Sequence, residues 1–344
     1  MKGRDFTIKK DVAIIGAGPV GMFAVFQLGM LGISSVLVDS LPSLGGQCTA
    51  LYPEKPIYDI PSHKSISGQE LIDNLSSQMS PFTPELVLNS VVTNILFNEE
   101  NSVWNISNTD GVNIEAKAII IAAGGGAFAP NRPPLTDIEL FENKSIFYSV
   151  RSRNDFKEKT IMIAGGGDSA VDWAISLADV AEKIYFVHRR DKMRALPESV
   201  NKLKAIAETG KVEFCIPYQL YSLSSSNDVL ESVTLSSLND STLLEKKIDV
   251  LLPFFGLSMD LGPIANWEME IDKKLLKIDP ATMETSRKGI FAIGDICSYP
   301  GKLKLILTGF AEAAVAAHSI YKLIYPNKPL HFEHSTTKGV PAHA

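Results

Sequence analysis

Sulfur is scarce. The 344 residues hold three cysteines, Cys48, Cys215 and Cys297, with no CxxC and no zinc-like spacing, which argues against a disulfide framework or a thiolate metal site. The six histidines are equally dispersed, with no HxxxH pair, so no metal site is expected. Long apolar runs are missing as well. No stretch of about 18 apolar residues occurs, and no apolar core follows the opening MKGRDFTIKK. Neither a membrane span nor a secretion signal is expected, and the chain reads as cytoplasmic. Positive charge is in deficit, at a net −6, whereas a nucleic-acid surface needs clustered excess Lys and Arg. A small anion needs only two or three local cations, so that class of ligand stays open. Internal repeats are also absent; the nearest thing to low complexity, LSSSND around residue 225, reads as a loop.

What is present is enough apolar side chain, 45% of residues, to build real cores, and a length comfortable for two domains. The first chemical signal is DVAIIGAGPVGMFAVFQLGMLGISSVLVDS. A β-rich strand, Val12 to Ile15, enters Gly16-x-Gly18-x-x-Gly21, a helical apolar pattern runs through Leu31, and a second strand, Val36 to Val38, ends at Asp39. In such a unit the first glycine turns tightly, the second lets backbone approach a pyrophosphate and the third lets helix pack on strand. The phosphates then sit on the amide-rich end of the helix. Asp39, 23 residues after Gly16, is placed to accept hydrogen bonds from a ribose 2′-hydroxyl, and its charge repels a 2′-phosphate. This loop is expected to hold FAD or NAD, not NADP.

The pattern returns 149 residues later. Thr160 to Ala164 reads as a strand, Gly165-x-Gly167-x-x-Ala170 opens a helix from Ser169 to Ala181, and Ile184 to Val187 is the next strand. Asp168 lies in the turn itself. The same count of 23 from Gly165 lands on His188, followed by Arg189, Arg190 and then Arg194. Guanidinium forks bind a phosphate bidentately, so HRRDKMR is expected to read the 2′-phosphate of NADPH. One loop is thus assigned to FAD and the other to NADPH.

A third element is KGIFAIGDICSYPGKLKLILTGFAEAAVAAHSIYKLI. A strand, Gly289 to Ile293, ends in Gly294-Asp295, and an Ala-rich helix begins near Leu305. Together these motifs resemble the flavoprotein disulfide reductases with two dinucleotide-binding domains, in the short thioredoxin-reductase-like branch. The resemblance implies an α/β fold of two Rossmann-like three-layer domains, with Asp295 on the ribityl chain of FAD and the following helix aimed at the flavin N1–C2=O edge. It also implies boundaries: residues 1–126 and 258–344 form a discontinuous FAD domain around an NADPH domain of residues 127–257. DVLLPFFGLSMD is read as a strand followed by a turn.

Thioredoxin reductases carry CxxC just before the second glycine loop, and the corresponding Tyr148-Ser149-Val150-Arg151 has none. The glutathione-reductase pattern fails too, since Cys48 is followed five residues later by Pro53. Without a dithiol, disulfide reduction is not expected, and Cys48 reads as buried filler. LGGQCTALYPEKPIYDIP and the tail FEHSTTKG instead resemble the thioredoxin-reductase-like ferredoxin–NADP reductases, the type 2 family. That resemblance implies a homodimer in which Tyr52 stacks on one face of the isoalloxazine and His334 of the partner subunit covers the other. It places further FAD contacts at Gln47, Val92, Phe128 and Thr336. The implied activity is transfer of electrons between NADPH and ferredoxin, or flavodoxin, with no side-chain acid or base. Lys302, Lys304, Arg151, Arg153 and Lys338 are candidate docking cations. A general NADPH diaphorase and a nucleotide-sensing module remain the alternatives.

Overall fold

The structure is a computed structural model, and it describes residues 7–226, 229–330 and 339. Six α-helices occur among the described residues: α1 Pro19–Met30, α2 Gln47–Leu51, α3 Gly68–Met79, α4 Asp168–Leu177, α5 Pro197–Glu208 and α6 Ile306–Ile324. The chain divides into two units. One comprises Met1–Ala50, Pro56–Phe128 and Met259–Ala344; the other comprises Leu51–Lys55 and Ala129–Ser258.

The first unit is built on a parallel array in the order Glu85–Val87, Ser35–Val38, Thr7–Ile15 and Asn113–Ile121, with Ile290–Ala292 also pairing to Asn113–Ile121. Asn113–Ile121 has a second role, because its first half pairs antiparallel with Val103–Asn108, which pairs in turn with Val92–Asn98. Central parallel strands are covered on both faces and therefore read as continuous apolar runs. Accordingly the last four residues of Thr7–Ile15 and all of Ser35–Val38 are buried. Alternation assigns the faces: Ala13, Ile15, Val36, Val38, Ile119 and Ile121 enter one core with Trp104, Ile106, Leu261 and Trp267. Helices α1, α3 and α6 pack together, with Phe23 of α1 and Phe310 of α6 at 4.8 Å between ring centroids.

The second unit repeats the plan with four parallel strands, ordered Val212–Cys215, Lys183–Val187, Thr160–Ala164 and Val250–Pro253. Here the period-two pattern resolves two cores. Ile161, Ile163, Ile184, Phe186, Val250 and Leu252 pack with Val171, Trp173 and Leu177 of α4 and Leu203 of α5. Met162, Ala164, Val187 and Leu251 point the other way, onto Leu230, Val233 and Leu235 of an antiparallel meander formed by Tyr218–Ser226, Val229–Ser237 and Leu243–Lys247. The unit is three-layered, with helices on one side and a sheet on the other.

Three expectations change. The stretch LSSSND, read as a loop, begins inside the strand Tyr218–Ser226. The helix after the second glycine loop stops at Leu177, where the amides of Val180 and Ala181 both donate to the Leu177 carbonyl and close a turn; Ala178 and Ala181 stay buried, so the apolar pattern outlasts the helix. The segment DVLLPFFGLSMD is two strands rather than a strand and a turn. After Val250–Pro253 the chain bends at Gly256, with φ +86°, and Leu257–Asp260 pairs with Ala127–Pro130. The two passages of the chain between units therefore run as one two-stranded ribbon.

Candidate functional site

In the first unit the glycine turn is enforced by space. Gly16 has φ +112°, and a Cβ there would lie 2.4 Å from the Ala122 carbonyl oxygen; one on Gly21 would lie 1.9 Å from that of Gly16. A Cβ on Gly18, by contrast, meets no atom within 4 Å, so the turn opens onto free space. No side chain caps the α1 N-terminus and no acid stands in its first turn. Free amides facing free space fit a pyrophosphate. The Leu44–Gln47 segment folds over this turn, with the Gly45 amide donating to the Ala17 carbonyl at 2.8 Å and Gly46 against Gly18. Asp39 stands at the end of Ser35–Val38. It accepts from the amides of Ala17 (2.5 Å) and Leu41 (2.8 Å), which leaves each carboxylate oxygen a further lone pair for a ribose hydroxyl. Burial pushes its carboxyl above the ordinary value, against the pull of those two amides.

The second unit repeats the backbone plan of this construction, although Asp168 now stands in the first turn of its helix. A Cβ on Gly165 would meet the Phe254 carbonyl oxygen and the Ala170 methyl, whereas Gly167 again faces open space and leaves α4 uncapped. The Arg194 amide donates to the Gly166 carbonyl at 2.7 Å, as Gly45 does to Ala17, and both donors lie 29 residues beyond the first glycine. Asp168 accepts from the Leu196 amide at 2.9 Å and so fastens the segment 189–196 over the turn. Arg189, Arg190 and Arg194 are exposed, and among the described residues none of them is ion-paired. His188 is different: its ring is buried against Gly166, where a Cβ would come within 2.2 Å of it. Burial lowers its basicity, and the three arginines add to that, so the ring stays neutral and supports the loop.

Asp295 lies half-buried in the single turn Gly294–Ile296, at the end of Ile290–Ala292. Burial raises its carboxyl, opposed by Lys302 and Lys304. Val92 is a core residue packed in the first unit, and Phe128 contributes backbone to the ribbon. Tyr52 packs against the core of the second unit, on a segment held there by Lys55 and Asp172 (2.8 Å) and by the Arg153 amide donating to Glu54 (2.7 Å). His334, Thr336 and Lys338 lie outside the described residues. Lys302 is no docking cation: it is buried against Glu312, a pair the sequence reading missed, although a lone acid in the apolar run GFAEAAVAA marks it. Arg153 is likewise engaged, with Asp179 at 2.6 Å.

All three cysteines are buried and none forms a disulfide. Burial pushes the Cys215 thiol up to about 11 and, with Glu312 adding to it, Cys297 to about 12, so neither is a nucleophile at neutral pH. Where a dithiol would stand, Val150 is fully buried and the Tyr148 hydroxyl donates to Glu142 at 2.7 Å.

Two cradles of one design, one closed by a carboxylate and the other by arginines, define a two-domain nucleotide-dependent oxidoreductase. The chain belongs to the pyridine nucleotide-disulphide oxidoreductase family, which matches residues 10–319. It is 55% identical over 331 residues to a ferredoxin–NADP reductase of Paramagnetospirillum magneticum, covering 96% of this chain and 98% of that one. It is 53% identical to one from Rhodospirillum rubrum, covering 97% of each. Among solved structures, the thioredoxin reductase of Lactococcus lactis matches with a TM-score of 0.78 at 25% identity, over 92% of this chain and 99% of its own. The resemblance and the fold class read from the sequence are borne out. Among the described residues no helix is long and apolar enough to cross a membrane.

Proposed function

We propose that this chain is an FAD-dependent ferredoxin–NADP reductase of the cytoplasm that passes electrons between NADPH and ferredoxin or flavodoxin as a homodimer. The reading is carried by one observation: two open dinucleotide cradles with opposite charge at their ends, in a chain whose three cysteines are all buried and form no disulfide. Full-length likeness to ferredoxin–NADP reductases supports the choice of acceptor.

The residues divide the work. Gly16, Gly18 and Gly21 with the start of α1 receive the FAD pyrophosphate, Asp39 takes the adenosine ribose, and Asp295 serves the flavin half; on the resemblance, Gln47 and Thr336 are further FAD contacts, and Val92 and Phe128 contribute backbone and packing near the nucleotide. Gly165, Gly167 and the start of α4 receive the pyrophosphate of NADPH. Asp168 and His188 hold the covering segment, from which Arg189, Arg190 and Arg194 bind the 2′-phosphate. On the resemblance, Tyr52 and His334 flank the isoalloxazine ring. Bound FAD supplies the exchange between two-electron and one-electron chemistry that a nicotinamide and an iron–sulfur carrier require. Lys304 and Arg151, both exposed, remain as docking cations. The test is NADPH-dependent reduction of cytochrome c with and without added ferredoxin. Strong stimulation is expected, and equal rates would refute ferredoxin as the acceptor.

A further inference from the structure

Glu312 is a carboxylate at 2% side-chain exposure in the middle of α6. Burying a charge is costly unless it is paired and hydrogen-bonded, and here both carboxylate oxygens are engaged. Oε1 accepts from the Tyr299 hydroxyl at 2.6 Å and from Lys302 Nζ at 2.5 Å, with Lys302 itself only 6% exposed. Oε2 accepts from the Gly294 amide at 2.7 Å and lies 3.7 Å from Cys297 Sγ, whose thiol donates to the Gly294 carbonyl at 3.1 Å.

The Gly294 bond is the informative one. Strand Ile290–Ala292 pairs in parallel with Asn113–Ile121, and the Ile293 amide still donates to the Ile121 carbonyl. One residue on, the chain leaves the sheet: Gly294 adopts φ +77° and its amide turns to Glu312. The side chain from α6 therefore fixes the point at which the strand ends and the direction in which Asp295 is presented. A second restraint acts on the same spot, since Val20 at the start of α1 packs against both Gly294 and Gly309 of α6. The glycine turn, the Gly294–Asp295 turn and α6 are thereby tied together.

The geometry points to Glu312 as a positioning residue of the flavin site: paired with Lys302, it captures the Gly294 amide and so aims Asp295 and the α6 N-terminus at bound flavin. This rests on the reading of the first unit as an FAD site. A bystander ion pair would need no backbone amide at the one turn that carries a flavin contact.

The test separates charge, hydrogen bond and fold. Glu312→Gln with Lys302→Met removes both charges but keeps a carbonyl oxygen for the Gly294 amide. Glu312→Leu with Lys302→Met removes both charges and the acceptor. In full-length apoprotein titrated with FAD and followed by flavin fluorescence, the Gln pair is expected to bind within about threefold of wild type, and the Leu pair at least ~tenfold more weakly. Their apoproteins should unfold at similar temperatures. Equal FAD affinity in the two pairs overturns the proposal, as does a loss in the Leu pair matched by a fall in its apoprotein unfolding temperature. Amide exchange over residues 289–298 of wild-type apoprotein gives a check independent of any variant: slow exchange at Gly294 is expected, and fast exchange overturns the contact. Failure of the wild-type apoprotein to take up FAD is a different result, sinking the flavin reading itself and the proposal with it.

Discussion

Replacing Arg189 and Arg190 together with Ala isolates the phosphate-reading charge from the loop that carries it. The backbone of this segment is held independently of both side chains. His188 donates its amide to Cys215, Tyr218 donates to the His188 carbonyl, Arg194 donates to Gly166, and Leu196 donates to Asp168. The double variant should therefore keep its loop and its thermal stability. A hydrogen bond to a charged group contributes about 1.5–3 kcal/mol when sheltered, but exposed ion pairs contribute only about 0.2–1 kcal/mol. With both guanidiniums exposed, about 1 kcal/mol each is reasonable, and a total of about 2 kcal/mol corresponds to a ~30-fold weaker NADPH. NADH has no 2′-phosphate and should be almost unaffected. Steady-state KM for each nucleotide at a saturating artificial acceptor measures the contrast. An equal rise for NADH and NADPH, or no rise for either, would refute the 2′-phosphate assignment and leave HRRDKMR as a solvated turn.

The first cradle makes a sharper prediction about its glycines. Gly21→Ala sets a methyl against backbone 1.9 Å away and should cost more than about 2 kcal/mol of stability, whereas Gly18→Ala should leave apoprotein unfolding unchanged and weaken FAD at least ~tenfold; similar behaviour of the two variants would contradict the open cradle. Acid stability should depend on Asp11. Burial pushes its carboxyl up, but hydrogen bonds from Lys117 and Ser34 outweigh this and hold it below its ordinary 3.8. Such a group lends stability that is complete above the unfolded value and lost as pH falls through the lowered one. Asp11→Asn should thus flatten the acid limb of the melting temperature against pH, and an unchanged limb would place that sensitivity elsewhere. Finally, an aromatic disulfide reagent at pH 8 should find no fast-reacting thiol in the native protein and three after denaturation; one native thiol reacting at the rate of a free cysteine would reopen dithiol-type chemistry.

The cradles were legible because their constraints are local. Buried parallel strands leave runs such as VAII and TIMIA, and the glycine spacing follows in part from local contacts, Gly21 on Gly16 and Gly165 on Ala170, although Gly16 and Gly165 also meet the remote Ala122 and Phe254. Legibility failed where the deciding partner is remote. Lys302 sits between Gly301 and Leu303 and reads as a solvated cation, yet its partner Glu312 lies a helix turn and a half inside α6. Tyr52 follows directly on a segment of the first unit, but Lys55 meets Asp172 and Glu54 meets Arg153, far along the chain, and these carry residues 51–55 to the second unit. The end of α4 was misplaced for the opposite reason: Ala178 and Ala181 remain buried, so the hydrophobic signal continues where the hydrogen bonding does not.

On the proposed reading, how one design would select two nucleotides can be traced to a few matched positions. Asp39 and His188 occupy the same place, each 23 residues after the first glycine and each donating its amide to the neighbouring strand, at Val87 and Cys215. Each then reaches the middle residue of its own glycine turn. Asp39 does so with a carboxylate, which captures the Ala17 amide and tolerates a methyl there. His188 does so with a ring, and the ring fills the volume that a Cβ would take, so the middle residue must be Gly166. The acid keeps a lone pair and a negative charge at the ribose, which suits an unphosphorylated hydroxyl. The buried ring stays neutral, cannot repel a phosphate, and hands recognition to the next residues along. In the first unit the covering segment is Gly45-Gly46, closely packed on Gly18; in the second the same positions are Arg194-Ala195. The exchange of Asp and Ala for His and Gly thus removes the charge that would exclude a 2′-phosphate, and the exchange of Gly45 for Arg194 brings in the charge that, on the proposed reading, would bind it.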